Sequence, residues 1–317
     1  MIRKLFIGSR FLMILFLCDY TPVFSQDTIN DEIARIVYMD SVVIKASRQD
    51  FSVSDFIKLV REDKSFYLAF RNLRAAEFLF HVDMFFSNQR NKRNASYQAD
   101  YLQKIMQTCR FQIKNSEQVT GDFYKNRKFE ARYYTYDLFD RLFLFHDTTC
   151  NITVQPQEIN FEGEGMEGHI GELKKLIFAP GTRSDVPFIG DKSEIFSDKM
   201  RSKYNFYIRS EKYGPDSIEV YSFQVRTKPE FSNTRDNHTV IKNLTTYFAK
   251  KDFQVLGRIY QLSQYKAVYQ FDVTMRISLL QHEGIYLPSW IHYEGFWNIP
   301  FKPGETANFT IDFSNFK

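Results

Sequence analysis

The stretch YKAVYQFDVTMRISL, Tyr265 to Leu279, has an apolar residue at every odd position: Tyr265, Ala267, Tyr269, Phe271, Val273, Met275, Ile277 and Leu279. Lys266, Gln270, Asp272, Thr274, Arg276 and Ser278 lie between them. Side chains two apart share one face of a strand, whereas a helix would scatter them around its circumference. The run therefore predicts one long strand over 265–279, dry on one face and wet on the other.

The same period recurs outward from this stretch. Ala76, Phe78, Phe80, Val82, Met84 and Phe86 alternate with Glu77, His81, Asp83 and Ser87. Ala95, Tyr97, Ala99 and Tyr101 follow, then Tyr204, Phe206 and Ile208, then Tyr221, Phe223 and Val225 after the turn YGPDS. Ala307, Phe309, Ile311 and Phe313 close the chain. Polar links such as NQRNKRN (Asn88–Asn94) and QHEG suit hairpins. One wet and one dry face is the mark of an antiparallel sheet.

Helices are few and short. Ser52 with Asp55 three residues on makes a capping box, and Phe51 with Phe56 a hydrophobic staple, ahead of the stripe Val53, Phe56, Ile57 and Val60. A turn or two follows around Phe66, Phe70 and Leu73. Met166, Ile170, Leu173 and Ile177 make a third stripe, stopped by APG. Asp191 and Glu194 box a fourth with Ile195, Phe196 and Met200. The fold class is mainly β (α+β): a long, strongly curved antiparallel sheet or incomplete barrel with a few short covering helices. Residues 51–317 are expected to form a single β-rich domain, with a central helical insertion at about 160–203.

The first 25 residues read as a secretory signal. Arg3, Lys4 and Arg10 precede the apolar run FLMILFLC (Phe11–Cys18), which falls short of the ~20 residues that span a bilayer. Val23 and Ser25 offer small residues before a cut, leaving Gln26 first. An uncleaved anchor, or a lipoprotein cut before Cys18, are the alternatives. Residues 26–50 make an N-terminal arm or first strand. No later stretch is apolar enough to span, so the mature chain is expected to have no transmembrane span and to work in the periplasm or at the outer membrane.

The whole chain carries +4 at neutral pH; loss of Arg3, Lys4, Arg10 and Asp19 with the leader leaves +2. That balance points to no nucleic-acid partner. After the leader, two cysteines remain, Cys109 and Cys150. In an oxidising compartment they are a disulfide candidate; both sit in phase with apolar neighbours (Phe111 and Ile113; Ile152 and Val154), so two inward, free thiols are the other reading.

No catalytic set emerges. GEGMEG (Gly163–Gly168) has dinucleotide-loop spacing, but Glu162, Glu164 and Glu167 put negative charge where phosphates would lie. Ser263 and Lys266 have a nucleophile–base spacing that needs a helix and sits at a strand entry instead. The six histidines (81, 146, 169, 238, 282, 292) form no zinc motif, so no metal or other cofactor is expected. His282, His292 and Glu294 are the best remaining polar group, the two histidines flanking a hairpin across which they would meet. Within YLPSWIHYEGFWNIPF (Tyr286–Phe301) the odd positions suit the dry face and the even ones are mixed, so the strand reads either as core or as an aromatic binding surface.

SDFIKLV…AFRNLRAAEFLFHVDMFF followed by ASYQADYLQKI resembles the opening of the lipoprotein-carrier (outer-membrane lipoprotein-sorting) fold, in which a helix leads into long hairpins. TTYFAKKDFQVLGRIYQL resembles that fold's later hairpin. VTGDFY and GFWNIPF resemble phrases of uncharacterised exported proteins of didermic bacteria. MDSVVIKA (Met39–Ala46) resembles the extended motif of outer-membrane receptors, and an ordinary first strand explains it equally well. The carrier likeness implies an incomplete barrel that holds acyl chains on its apolar face beneath a helical lid, with Phe78, Phe80, Tyr269, Phe271, Met275 and Trp297 as lining. The expected function is non-enzymatic: an exported envelope protein that binds a lipid or lipoprotein acyl chain. The alternative is an outer-membrane-associated scaffold with an outer-membrane protein partner; an unrecognised enzyme is the third.

Overall fold

Ser52 opens the described chain as the capping box requires. Its hydroxyl accepts from the Asp55 amide at 3.3 Å, and the Asp55 carboxylate accepts from the Ser52 amide at 2.7 Å. A cap of this kind stabilises a helix by roughly 0.5–2 kcal/mol. The helix, α1 (Val53–Glu62), buries Phe56, Ile57 and Val60, and Phe51 meets Phe56 edge-on at 6.2 Å. Asp63 then starts the next helix, accepting from the Ser65 amide (2.9 Å) and hydroxyl (2.5 Å). That helix, α2 (Ser65–Asn72), runs through a 3-10 turn (Leu73–Ala75) into the first strand.

The computed structural model describes residues 51–87, 93–125, 130–144, 147–150, 175–184, 189–233, 235, 238–266, 269–298 and 304–317. Ten strands form one open antiparallel sheet: β1 (Phe78–Ser87), β2 (Arg93–Met106), β3 (Cys109–Gly121), β6 (Tyr204–Tyr213), β7 (Ile218–Thr227), β8 (Ile241–Ala249), β9 (Val255–Lys266), β10 (Tyr269–His282), β11 (Ile285–Asn298) and β12 (Glu305–Ser314). Their order is β3-β2-β1-β12-β11-β10-β9-β8-β7-β6. A small side hairpin pairs β4 (Tyr124–Lys125) with β5 (Glu130–Ala131). α3 (Tyr134–Phe143) and the short α4 (Asp198–Arg201) lie in the stretch of chain between β5 and β6.

Two meanders thus meet at the middle of the sheet, where β1 pairs with β12. The register runs from Leu79↔Ser314 to Ser87↔Thr306, so the last strand is held between β1 and β11. Both strands alternate as their sequences dictate. Phe78, Phe80, Val82, Met84 and Phe86 are buried, and opposite the last four lie Phe313, Ile311, Phe309 and Ala307. Cross-strand apolar pairs of this kind fix the register, because a slip of one residue would turn every one of them to solvent.

Two local expectations need correction. The run 265–279 is not one strand: β9 ends at Lys266, β10 starts at Tyr269, and these two residues face each other across the reversal. Tyr265 therefore lies on the face opposite Phe271 and reaches Asp272 at 3.3 Å. KAVY carries none of the Asn-Gly chemistry that normally marks a two-residue reversal, so alternation alone reads straight through it. The helix expected from Asp191 is a 3-10 turn at Gly190–Ser193 followed by α4, whose cap is Ser197. α3 was not foreseen from the sequence at all. Of the third expected helix, residues 175–178 are helical and Met166, Ile170 and Leu173 lie outside the described residues. Residues 1–50, Asn88–Lys92 and GEGMEG also lie outside them.

Candidate functional site

The apolar face of the sheet does not close on the helices. Between them lies a cavity of about 480 Å³. Its floor comes from five neighbouring strands: Phe78 and Phe80 of β1, Phe309 and Phe313 of β12, Ile291, Tyr293 and Trp297 of β11, Phe271, Val273, Met275 and Ile277 of β10, and Leu262 of β9. Its roof is Tyr67 and Phe70 of α2, Leu138, Phe139, Leu142 and Phe143 of α3, and Leu176, Ile177 and Phe178. The floor extends along β12 from Phe313 to the level of Trp297, which pairs with Glu305; eight residues of strand span about 27 Å.

Aromatic stacking shapes the floor. Phe271 stacks on Trp297 at 5.2 Å and Tyr293 on Phe309 at 4.7 Å. The Trp297 indole N–H donates to the Tyr293 hydroxyl, which gives a buried polar pair its partner. Burial pushes the Tyr293 hydroxyl far up from its ordinary pKa, so it stays neutral. Gly295 makes this possible, since a Cβ there would collide with the Tyr293 ring and hydroxyl.

The roof is tied to the sheet by polar contacts. Arg258 of β9, wholly buried, pairs with Asp63 at 2.8 Å, lies 4.5 Å over the Phe66 ring and donates to the Ile177 carbonyl at 3.2 Å. Tyr260 donates to the same carbonyl at 2.5 Å. Glu305 of β12 accepts from the Tyr134 amide (2.8 Å), the Thr135 amide (2.7 Å) and the Thr135 hydroxyl (2.6 Å), so a carboxylate caps the start of α3. Asn72 donates to the Tyr286 carbonyl at 3.1 Å.

One end of the cavity is cationic and amide-lined. Arg71 and Arg74, one helical turn apart, line it together with Arg110, Gln103 and Gln112. Gln103 donates to the carbonyls of Leu73 (2.6 Å) and Ala76 (2.8 Å), and Gln112 donates to Gln103 (3.3 Å) and to the Phe143 carbonyl (3.0 Å). Burial, and then the charge of Arg74, push the Arg110 guanidinium down to about 10; burial and Arg71 lower Arg74 likewise. Arg74 and Leu142 both line the cavity and both reach solvent, so its mouth lies beside them.

Of the residues singled out from sequence, Phe78, Phe80, Phe271, Met275 and Trp297 line this cavity together. The Tyr269 side chain lies outside the described residues. His292 and Glu294 are in contact at 3.1 Å on the opposite face of the sheet, with His292 stacked on Trp290. His282 does not meet them: it pairs with Ile285 at the hairpin, and Arg276 stands opposite His292. A two-residue reversal at Glu283 and Gly284, both with positive φ, places the histidines far apart along the strands. None of the three lines the cavity. Cys109 and Cys150 are joined, with an S–S distance of 2.03 Å. The inward direction expected for them does not hold: Cys109 is half-buried, Cys150 exposed, and Ile113 is 39% exposed. On β3 the buried position is Arg110, because that end of the sheet faces the polar end of the cavity. Among the described residues no group of three His, Cys, Asp or Glu is placed to hold a metal, and no helix is long and apolar enough to cross a membrane.

The arginine and glutamine end was missed in the sequence. Arg71 and Arg74 carried one signal, the i, i+3 spacing that puts both on one face of α2 and its 3-10 extension.

No family model and no curated protein matches the chain. Among solved structures it is similar to a DUF1329 family protein from Desulfovibrio piger, at 10% identity and a TM-score of 0.24, over 80% of this chain and 91% of that one. It is also similar to a putative outer membrane lipoprotein-sorting protein domain from Vibrio parahaemolyticus, at 10% identity and a TM-score of 0.26, over 80% and 92%.

Proposed function

We propose that this is an exported, non-enzymatic cell-envelope protein that holds the acyl chain of a lipid or lipoprotein between its curved sheet and its helices. The observation that carries the reading is the 480 Å³ cavity, walled mostly by phenylalanine, tyrosine, tryptophan and aliphatic side chains from five strands and the segments that cover them. Ligand sites of a few hundred Å³ with mostly apolar walls and a few placed polar groups are the form that small apolar ligands require. The leader-like first 25 residues and the cysteine usage support an envelope location.

The test is native mass spectrometry of protein purified from its own envelope without detergent, followed by displacement of a fluorescent acyl probe from delipidated protein. Co-purifying lipid and saturable probe binding are expected, with Met275→Trp, which fills the cavity, weakening the probe at least fivefold. A lipid-free protein that binds no probe overturns the reading. If that protein instead captures an outer-membrane complex, the scaffold alternative takes its place.

A further inference from the structure

We infer that the ligand is a single-chain amphiphile with an anionic head, its chain lying along the aromatic floor and its head held by Arg71, Arg74 and Arg110. This rests on the acyl-binding reading above and narrows it to one chemical class.

Charge gives the head. Three guanidiniums converge on one end of the cavity, and among the described residues lining it there is no carboxylate. Arg71 and Arg74 have no ion-pair partner among the described residues, and the Arg71 Nε is buried without a hydrogen-bond acceptor. A guanidinium carries donors only, five of them in a fixed fork, and matches a carboxylate or phosphate. Like charges held this close repel: beyond the effect of burial, Arg71 lowers the proton affinity of Arg74, and Arg74 that of Arg110. An anion among them relieves that repulsion and accepts the unused donors. Arg74 also marks the mouth, so a head there is next to water while its chain is not.

Volume and length give the tail. An apolar cavity of about 150 Å³ holds one benzene, six carbons, so on the same scale 480 Å³ suits one chain of about sixteen to twenty carbons. A diacyl lipid would need about twice that space. The floor's length of about 27 Å accommodates one such chain extended.

The test uses delipidated full-length protein and displacement of the same acyl probe by palmitate, 1-palmitoyl-lysophosphatidylglycerol, hexadecanol, hexadecyltrimethylammonium and dipalmitoylphosphatidylglycerol. Charge-assisted hydrogen bonds should make at least one of the two anionic single-chain ligands at least about tenfold tighter than hexadecanol. The ammonium should be weakest. The better of palmitate and the lysophospholipid identifies the head as carboxylate or phosphate. Arg71→Gln/Arg74→Gln should erase the tenfold preference while hexadecanol stays within twofold, which also shows that the variant is folded. Hexadecanol binding as tightly as both anionic ligands to the unaltered protein overturns the head assignment and leaves the acyl-binding reading standing. Dipalmitoylphosphatidylglycerol matching its lyso form overturns the single chain. Failure of every competitor overturns both readings.

Discussion

Replacing Asp63 with asparagine removes the carboxylate paired with Arg258, a guanidinium that is wholly out of water. Arg258 is 0% exposed and Asp63 7%. After Asp63→Asn, Arg258 keeps the Ile177 carbonyl at 3.2 Å and the Phe66 ring at 4.5 Å, but its charge has no counter-charge. Breaking a buried pair from one side costs about 3–5 kcal/mol, mostly the cost of leaving the other ion buried alone. For a domain of this size each kcal/mol moves the melting temperature by about 2–4 °C, so Asp63→Asn should melt roughly 6–20 °C lower. Arg258→Met should cost less. Methionine keeps packing against Phe66, and the Asp63 carboxylate still accepts from the Ser65 amide and hydroxyl at the start of α2. The double variant should then be more stable than the sum of the two losses. Scanning calorimetry on the four proteins closes the cycle. An Asp63→Asn protein melting within 2 °C of the original, or an Arg258→Met protein clearly worse than Asp63→Asn, would refute the view that this pair pins the roof to β9.

Glu305→Ala removes three acceptor contacts from the first turn of α3, and hydrogen bonds to a charged group contribute about 1.5–3 kcal/mol each at most. Amides in 137–143 should exchange with deuterium at least tenfold faster than in the unaltered protein, with β1 and β2 unchanged; equal exchange would mean that the cap does not hold the helix. The Cys109–Cys150 link closes a separation of 41 residues that includes α3. The chain-entropy estimate for such a loop is about 4 kcal/mol, so Cys109→Ser should melt roughly 8–16 °C lower, and reductant should lower the original protein alike. A melting temperature indifferent to reductant would count against a bond that matters to the fold.

What the sequence revealed follows the range of the interactions involved. β1 and β12 are legible because their apolar residues alternate without interruption and are buried as they alternate. α1 is legible because its cap, its staple and its stripe lie within ten residues. α3 is not, because nothing local starts it: Tyr133 offers no side-chain cap, and the acceptor is Glu305, about 170 residues away. Its YTYDLF is also rich in aromatic residues that suit strands equally well. The aromatic floor could be read from parity, but the cationic end could not. Arg110 looks like the wet member of an alternating strand until the roof covers it, and Arg258 looks the same until Asp63, 195 residues away, arrives beside it.

The dimensions of the elements explain why a cavity exists at all. α1, α2 and α3 have ten, eight and ten residues, which makes them about 12–15 Å long, while β10 and β11 have fourteen each and extend about 47 Å. Helices so short cannot tile strands so long. Apolar walls left without partner atoms lose packing in proportion to the volume between them. A roof held by apolar contact alone would sink to remove that cost. This roof is fixed at Arg258–Asp63, at the Ile177 carbonyl and at Glu305, by contacts with directional geometry that a shift of one or two ångströms would break. Collapse is thereby set against the loss of buried polar contacts, and filling the space with a chain of methylenes satisfies both terms at once.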